Sequence, residues 1–256
     1  MWWVFLWGLW GVCMGSFGGM LVYRLPRGLS IVKPSSMCPA CNMPIAFYDL
    51  LPVIGWLLLK GRCRRCKTGI SPRYPLMEFA CGLLFVGMAL FTWSFSAIVL
   101  SFLGFILLVV SVIDWDTQEI PDGLLLAAAA MGVIWIVGGH FTGLFPKAPG
   151  FFDAGMGILA GAVPLLVMDR LVLALAKKDG FGYGDVKLMA VAGLYLGWSA
   201  TITAFFFAFI SGGMYAVFLR ATGRAGRDTY IAFGPFLCGG IIAALWFGQG
   251  FWSLLT

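Results

Sequence analysis

Charge is what this chain has least of. Asp, Glu, Lys and Arg make up only 11% of its 256 residues, against 61% hydrophobic residues and a mean hydropathy of +0.95. A soluble domain carries roughly 25% charged residues, so a water-soluble globular fold is excluded. Histidine occurs once, as His140, and neither GxSxG nor HExxH is present. The usual signatures of a serine hydrolase and of a zinc protease are therefore missing. Low-complexity tracts and long solvated tails are missing as well. No basic residue precedes the first apolar run and no small-residue cleavage site follows it; Arg24 and Arg27 come after it instead. Residues 2–23 are expected to form a permanent helix with an outside N-terminus, not a cleaved signal.

What is present is a series of apolar runs near the ~20 residues that cross a bilayer. Beyond residues 2–23, runs fall at about 76–94, 97–113, 123–139, 155–176, 186–199, 201–219 and 231–252. The expectation is an all-α polytopic membrane protein with about eight transmembrane helices and a small loop domain between the first two. Gly11, Gly15 and Gly19 recur at four-residue spacing in the first run, as in helices that pack closely. Alternating sides from an outside N-terminus make 24–75, 114–122, 177–185 and 220–230 cytoplasmic. Sixteen of the seventeen Lys and Arg residues then fall on that side or beside it, leaving Lys147 outside. Positive-inside topology accounts for this distribution, so the net charge of +6 gives no reason to expect a nucleic-acid partner.

The long loop carries CPAC and CRRC, hence Cys38, Cys41, Cys63 and Cys66. Two CxxC pairs at this separation match a four-thiolate zinc site, closed by sulfur and therefore structural. A cytoplasmic location disfavours disulfides; four unbound thiols are the plainer alternative. Arg62, Arg64, Arg65 and Lys67 would offset the negative charge of such a centre. Cys13, Cys81 and Cys238 lie in apolar runs and read as small core residues.

Carboxylates concentrate in IDWDTQEIPDG, with Asp114, Asp116, Glu119 and Asp122, and recur as Asp185 in GFGYGDVKLM. Asp116, Glu119 and Asp122 suit an ordinary polar loop. Asp114 directly follows an apolar run, where an ionisable group is costly and often functional. Asp185 opens the sixth run, the third after the one Asp114 follows, and also suits a helix N-cap. The topology places Asp114 and Asp185 on the same face, where two carboxyls sharing a proton could activate water. A helix N-terminus favours negative charge and a C-terminus does not, so this placement puts the resting charge on Asp185 and the proton on Asp114.

Six stretches in order, GSFGGMLVYRLP, CPAC, YDLLPVIGWLLLKGRCRRC, ISPRYPLMEF, IDWDTQEIPD and FGYGDVKLM, resemble the type IV prepilin peptidases almost end to end. These are leader peptidases and N-methyltransferases of the bacterial inner membrane. The resemblance implies Asp114 and Asp185 as the catalytic pair, Asp114 standing seven residues before the Pro of the IP pair, Pro121. It implies Gly182, Gly184 and Lys187 as the supporting GxGD loop, and Gly61, Arg62 and Glu78 as candidates for the methylation half. Cofactors would be a structural zinc on the four cysteines and S-adenosylmethionine as methyl donor. The expected substrates are type IV prepilin or pseudopilin precursors of pilus or type II secretion systems, cut after Gly at the cytoplasmic face. Three parts follow: a first transmembrane helix (1–23), a cytoplasmic four-cysteine module associated with methylation (24–75) and a membrane peptidase domain (76–256). Two departures stand out. Gly61–Arg62 replaces the frequent Gly–Lys, keeping the charge but not the compact ammonium, and Gly18–Gly19 replaces a frequent Leu–Asn.

Other readings stay open at this level. Preflagellin-type peptidases share the C-terminal half but lack a cysteine module. A proton-coupled transporter would use Asp114 and Asp185 along a pathway, although such sites usually lie near the bilayer midplane with inverted repeats. A non-catalytic zinc-bearing scaffold is a further alternative.

Overall fold

Forming backbone hydrogen bonds within one segment is the least costly way to bury a peptide chain in lipid, and the long apolar runs described in this chain follow that rule. The computed structural model describes residues 2–33, 35–92, 95–176, 182–224 and 230–253. Gly180 and Phe181, at the start of the GFGYGD stretch, lie outside the described residues, as do Lys177, Lys178 and Arg227 of the basic loops. Among the described residues no strand forms beyond two isolated bridges, Met37–Pro44 and Arg62–Gly69. Eight α-helices among the described residues carry the architecture: α1 (Trp2–Arg24), α2 (Ile54–Leu58), α3 (Arg73–Phe91), α4 (Ser96–Thr117), α5 (Asp122–Thr142), α6 (Phe151–Ala176), α7 (Tyr183–Ala221) and α8 (Gly234–Ser253).

Six of these (α1 and α3 to α7) are long and apolar enough to cross a membrane, and α8 adds a shorter apolar stretch, Gly234–Gly248. At 39 residues α7 would be roughly 58 Å long if straight, about twice a bilayer core. It is broken at Gly197 (φ 71°, ψ 178°), a conformation essentially confined to glycine. The two expected runs at 186–199 and 201–219 are thus two helical segments joined at a kink, and the all-α polytopic expectation stands, with six helices long and apolar enough to span.

Two compact units emerge. The first comprises Met1–Trp93 and Leu100–Val109. In it α1 packs along α3 through the predicted glycines. A Cβ at Gly11 would lie 2.7 Å from Phe85 Cβ, and one at Gly15 would lie 2.6 Å from Glu78 Cα. Trp10 meets Phe85 edge to face at 5.4 Å, and the Trp7 indole donates to Ser101 Oγ at 3.0 Å.

The second unit comprises Ser94–Val99 and Val110–Thr256. Here α7 is central, packed against α6, α8 and α5. Bare glycine faces let α6 and α7 touch backbone to backbone, Gly157 against Gly193 and Gly161 against Met189. The Tyr195 hydroxyl, buried, donates to the Ala128 carbonyl on α5 at 2.6 Å. At the kink, Asp153 of α6 occupies the space a side chain at 197 would need and accepts the Trp198 N–H at 3.2 Å. A carboxylate from one helix thereby caps the start of another segment.

Candidate active site and four-thiol cluster

The acidic site is built from helix ends of the second unit. Asp114 belongs to the last turn of α4, which stops where Gln118 turns left-handed (φ 56°) and returns its N–H to the Asp114 carbonyl. Asp185 lies in the first turn of α7, whose N-cap is Gly182. The N-cap reading of Asp185 is therefore corrected: the Gly182 carbonyl accepts the Asp185 N–H at 3.0 Å, and Asp185 stands at the third helical position. Its side chain is released from capping and points elsewhere. Both carboxyls are buried, Asp114 at 5% and Asp185 at 9% exposure, and both line one cavity of about 400 Å³ with Gln118, Glu119, Ile120 and Tyr183. Asp116 is exposed, two residues along the same helix end, and is not part of that lining.

The remaining residues predicted around GxGD have separate jobs. Gly182 and Gly184 line the cavity. Gly184 packs on the loop before α5, where a Cβ would come within 3.0 Å of Ile120 Cβ; the nearest atom to a Cβ at Gly182 would be Asp185 Oδ2, at 3.7 Å. Lys187 pairs with Asp122 across 2.7 Å, tying the start of α7 to the start of α5 with both side chains largely exposed. Such a pair is worth at most about 1 kcal/mol. Sequence reasoning missed Gly234: its N–H, in the first turn of α8, donates to Asp114 Oδ2 at 3.0 Å in a buried hydrogen bond. The only advance signal was an FGP triplet opening an apolar run, which names no partner.

In the first unit the four cysteines meet. The Sγ atoms of Cys38, Cys41, Cys63 and Cys66 all lie within 4.8 Å of one another. The two halves repeat each other's backbone. Cys38 N–H donates to the Met43 carbonyl and Cys63 N–H to the Thr68 carbonyl, while Asn42 and Lys67 return N–H groups to Cys38 and Cys63. Both returning residues are left-handed, Asn42 at φ 53° and Lys67 at φ 61°. Backbone N–H groups of Cys41 and Ala40 hold the Cys38 thiol below its ordinary range, and the Thr68 hydroxyl and backbone draw Cys66 down to about 6. The Met43 N–H acts the same way on Cys41, but burial and the neighbouring Cys38 and Cys66 thiols carry it up to about 11. A preformed set of four sulfurs with N–H donors aimed at them fits a tetrahedral thiophilic ion. Of the basic residues expected to offset its charge, Arg64 instead grips Asp49 with two nitrogens, at 2.6 and 2.8 Å.

The three methylation candidates are placed as follows. Gly61 is left-handed (φ 66°), with the Trp56 ring 2.8 Å from where its Cβ would be, and its carbonyl accepts the Ile70 N–H. Arg62 is exposed beside it. Glu78 on α3 is buried and accepts the Val53 N–H at 2.7 Å. Val53 itself (φ 60°, ψ −52°) centres a γ-turn closed by the Ile54 N–H on the Pro52 carbonyl. That turn is rare and strained, the more so at a β-branched residue.

Known proteins place the chain. The profile of the Bacterial Peptidase A24 N-terminal domain matches residues 9–92, and that of the Type IV leader peptidase family matches residues 101–217. A prepilin leader peptidase/N-methyltransferase of Klebsiella pneumoniae is 39% identical over 77% of this chain and 88% of its own length. Proteins of the same name from Stutzerimonas stutzeri and Pseudomonas putida are 33% and 34% identical over 93% and 92% of this chain, covering 89% and 88% of their own lengths. No solved structure matches the chain. With both profiles matched in order and relatives aligned over most of its length, this chain belongs to the type IV leader peptidase family.

Proposed function

We propose that this chain is a membrane aspartic endopeptidase that removes the basic leader of prepilin-like or pseudopilin precursors and then methylates the new N-terminal amine. The observation that carries the proposal is the pair of buried carboxyls, one ending α4 and one opening α7, on a single cavity. Two carboxyls sharing a proton can deliver water to a peptide carbonyl, one as base and one as acid. The assigned pair is Asp114 and Asp185, with Gly182, Gly184 and Lys187 shaping the loop beside them. Their position at helix ends suits a substrate whose basic leader stays at the membrane surface while its apolar helix occupies the bilayer. It suits a transport pathway less, since that would place the acids near mid-membrane.

The orientation follows the distribution of basic residues: an inner-membrane protein with a periplasmic N-terminus and the acidic site at the cytoplasmic face. Residues 24–75 form the methylation-associated module between a first transmembrane helix (1–23) and the peptidase domain (76–256). Cys38, Cys41, Cys63 and Cys66 would hold zinc, whose contribution is to fix the two knuckles. Gly61, Arg62 and Glu78 stand as the residues serving methyl transfer from S-adenosylmethionine. The strained turn at Val53 held by the Glu78 carboxylate supports that placement, because strain of this kind gathers at functional sites.

The test is product identity. Purified protein in detergent is incubated with a prepilin precursor, with and without S-adenosylmethionine, and the products are weighed by mass spectrometry. The expected products are a free leader ending in Gly and a mature chain that gains one methyl group only when the donor is present. An uncut precursor, or a cut elsewhere, overturns the reading.

A further inference from the structure

The helix to which each aspartate belongs puts the charge on Asp185. The surroundings of the two side chains put it on Asp114. Asp114 Oδ2 receives the Gly234 N–H at 3.0 Å, from the first turn of a third helix, α8. The neighbouring N–H groups leave this one free for the task. Pro235 has none, and Phe236 and Leu237 donate to the Phe233 carbonyl. Glycine is required for the approach, because a Cβ at 234 would lie 2.6 Å from Asp114 Oδ2. Asp185 is in the opposite situation. Its Oδ1 is fully buried without a hydrogen-bond partner among the described residues, an environment that disfavours an ionised carboxylate and tolerates a neutral one.

We infer that Gly234 is a positioning residue of the acidic site: its N–H, at the head of α8, holds Asp114 ionised as the base, leaving the shared proton on Asp185 as the acid. A direct hydrogen bond to a charged oxygen outweighs a helix-end field felt without one, so the field at the start of α7 does not reverse the assignment. The other ionisable groups facing the pair are Glu119 from the α4–α5 connection, Asp122 at the start of α5, and Tyr183 and Lys187 from α7. Lys187 is already paired with Asp122. On α8 the nearest is Cys238, one turn beyond Gly234 and buried. None supplies Asp185 with a cation.

The roles rest on the peptidase reading and balance within it. Asp114 takes one proton of the water as its oxygen bonds to the carbonyl carbon, and Asp185 gives its proton to the carbonyl oxygen. As the C–N bond breaks, the Asp114 proton leaves with the amine and one hydroxyl proton returns to Asp185, restoring the starting state.

Infrared titration of the protonated-carboxyl band in full-length purified protein tests the assignment without requiring cleavage. Spectra of the Asp114→Asn/Asp185→Asn double variant are subtracted from those of each single variant. The carboxyl remaining in Asp114→Asn, which is Asp185, is expected to titrate at the higher pH. Adding Gly234→Ala to Asp185→Asn is expected to raise the Asp114 titration by about one pH unit. Adding Gly239→Ala, where a Cβ meets open space, is expected to leave it unmoved. Asp114 titrating at the higher pH overturns the assignment, whether or not the Gly234→Ala protein folds. Equal titrations with Gly234→Ala and Gly239→Ala also overturn it. A wild type that fails to cut prepilin overturns the functional reading alone and leaves these titrations to stand or fall independently.

Discussion

At the scale of single residues, the two glycines before Asp185 are not equivalent. Gly182 has ordinary extended backbone (φ −69°, ψ 143°), and only ordinary van der Waals neighbours surround a Cβ there. At Gly184 a Cβ would come within 3.0 Å of Ile120, so the loop carrying Ile120 must give way. A misplacement of about 1 Å at a catalytic site can cost roughly a hundredfold in rate. Gly184→Ala is expected to lower kcat/KM for leader cleavage at least tenfold, and Gly182→Ala to leave it within about threefold; initial rates on one precursor measure both. The sequence announced a GxGD loop but not which glycine is spatially required, because Ile120 is a neighbour in space only. The same holds for Gly234, which is 120 positions from Asp114, and for Glu78, whose partner Val53 is 25 positions away. Residue types and spacings point to candidates, whereas partners of this kind exist only once helices pack. That is also why Asp185 read as an N-cap: the cap position depends on where α7 begins, and it begins two residues earlier, at Tyr183.

At the scale of elements, the apolar runs were legible since lipid demands long hydrophobic helices. Even the division of α7 was visible, as two short runs in place of one long one. Invisible was what stabilises the division. Asp153 satisfies the Trp198 N–H across a helix interface, and its own sequence context in the first turn of α6 gives no hint of it. Asp153→Ala is expected to cost about 1 kcal/mol, the worth of a helix cap, seen as a lower melting temperature in detergent. Gly197→Ala should cost more, since its positive φ and the Asp153 carboxylate both oppose a side chain. The four-cysteine loop was legible for a different reason: CxxC spacing encodes its own local turn. Inductively coupled plasma measurements are expected to find about one zinc per chain in purified protein, and far less in Cys63→Ser, which removes one of four ligands from a closed shell.

At the scale of the whole molecule, the chain falls into two compact units, one holding the thiol cluster and the other the carboxyl pair. The residues proposed for cleavage and for methylation thus lie in different units, and Cys63→Ser is expected to separate the two activities. Methyl transfer to a pre-cleaved mature chain should fall at least tenfold, because one of four thiol ligands of the proposed zinc would be lost, while leader cleavage survives. The proposed orientation rests at this scale on charge alone: with sides alternating from an outside N-terminus, only Lys147 of the basic residues would fall on the outer side.

The central claim is that Asp114 and Asp185 together perform the hydrolysis, and kcat/KM for leader cleavage by three single variants tests it most directly. Asp114→Asn and Asp185→Asn are each expected to lose roughly a thousandfold or more. Asp116→Asn, exposed at the same helix end, is expected to stay within about threefold of wild type. Near-normal cleavage by Asp114→Asn or Asp185→Asn, or loss of activity confined to Asp116→Asn, would contradict the account.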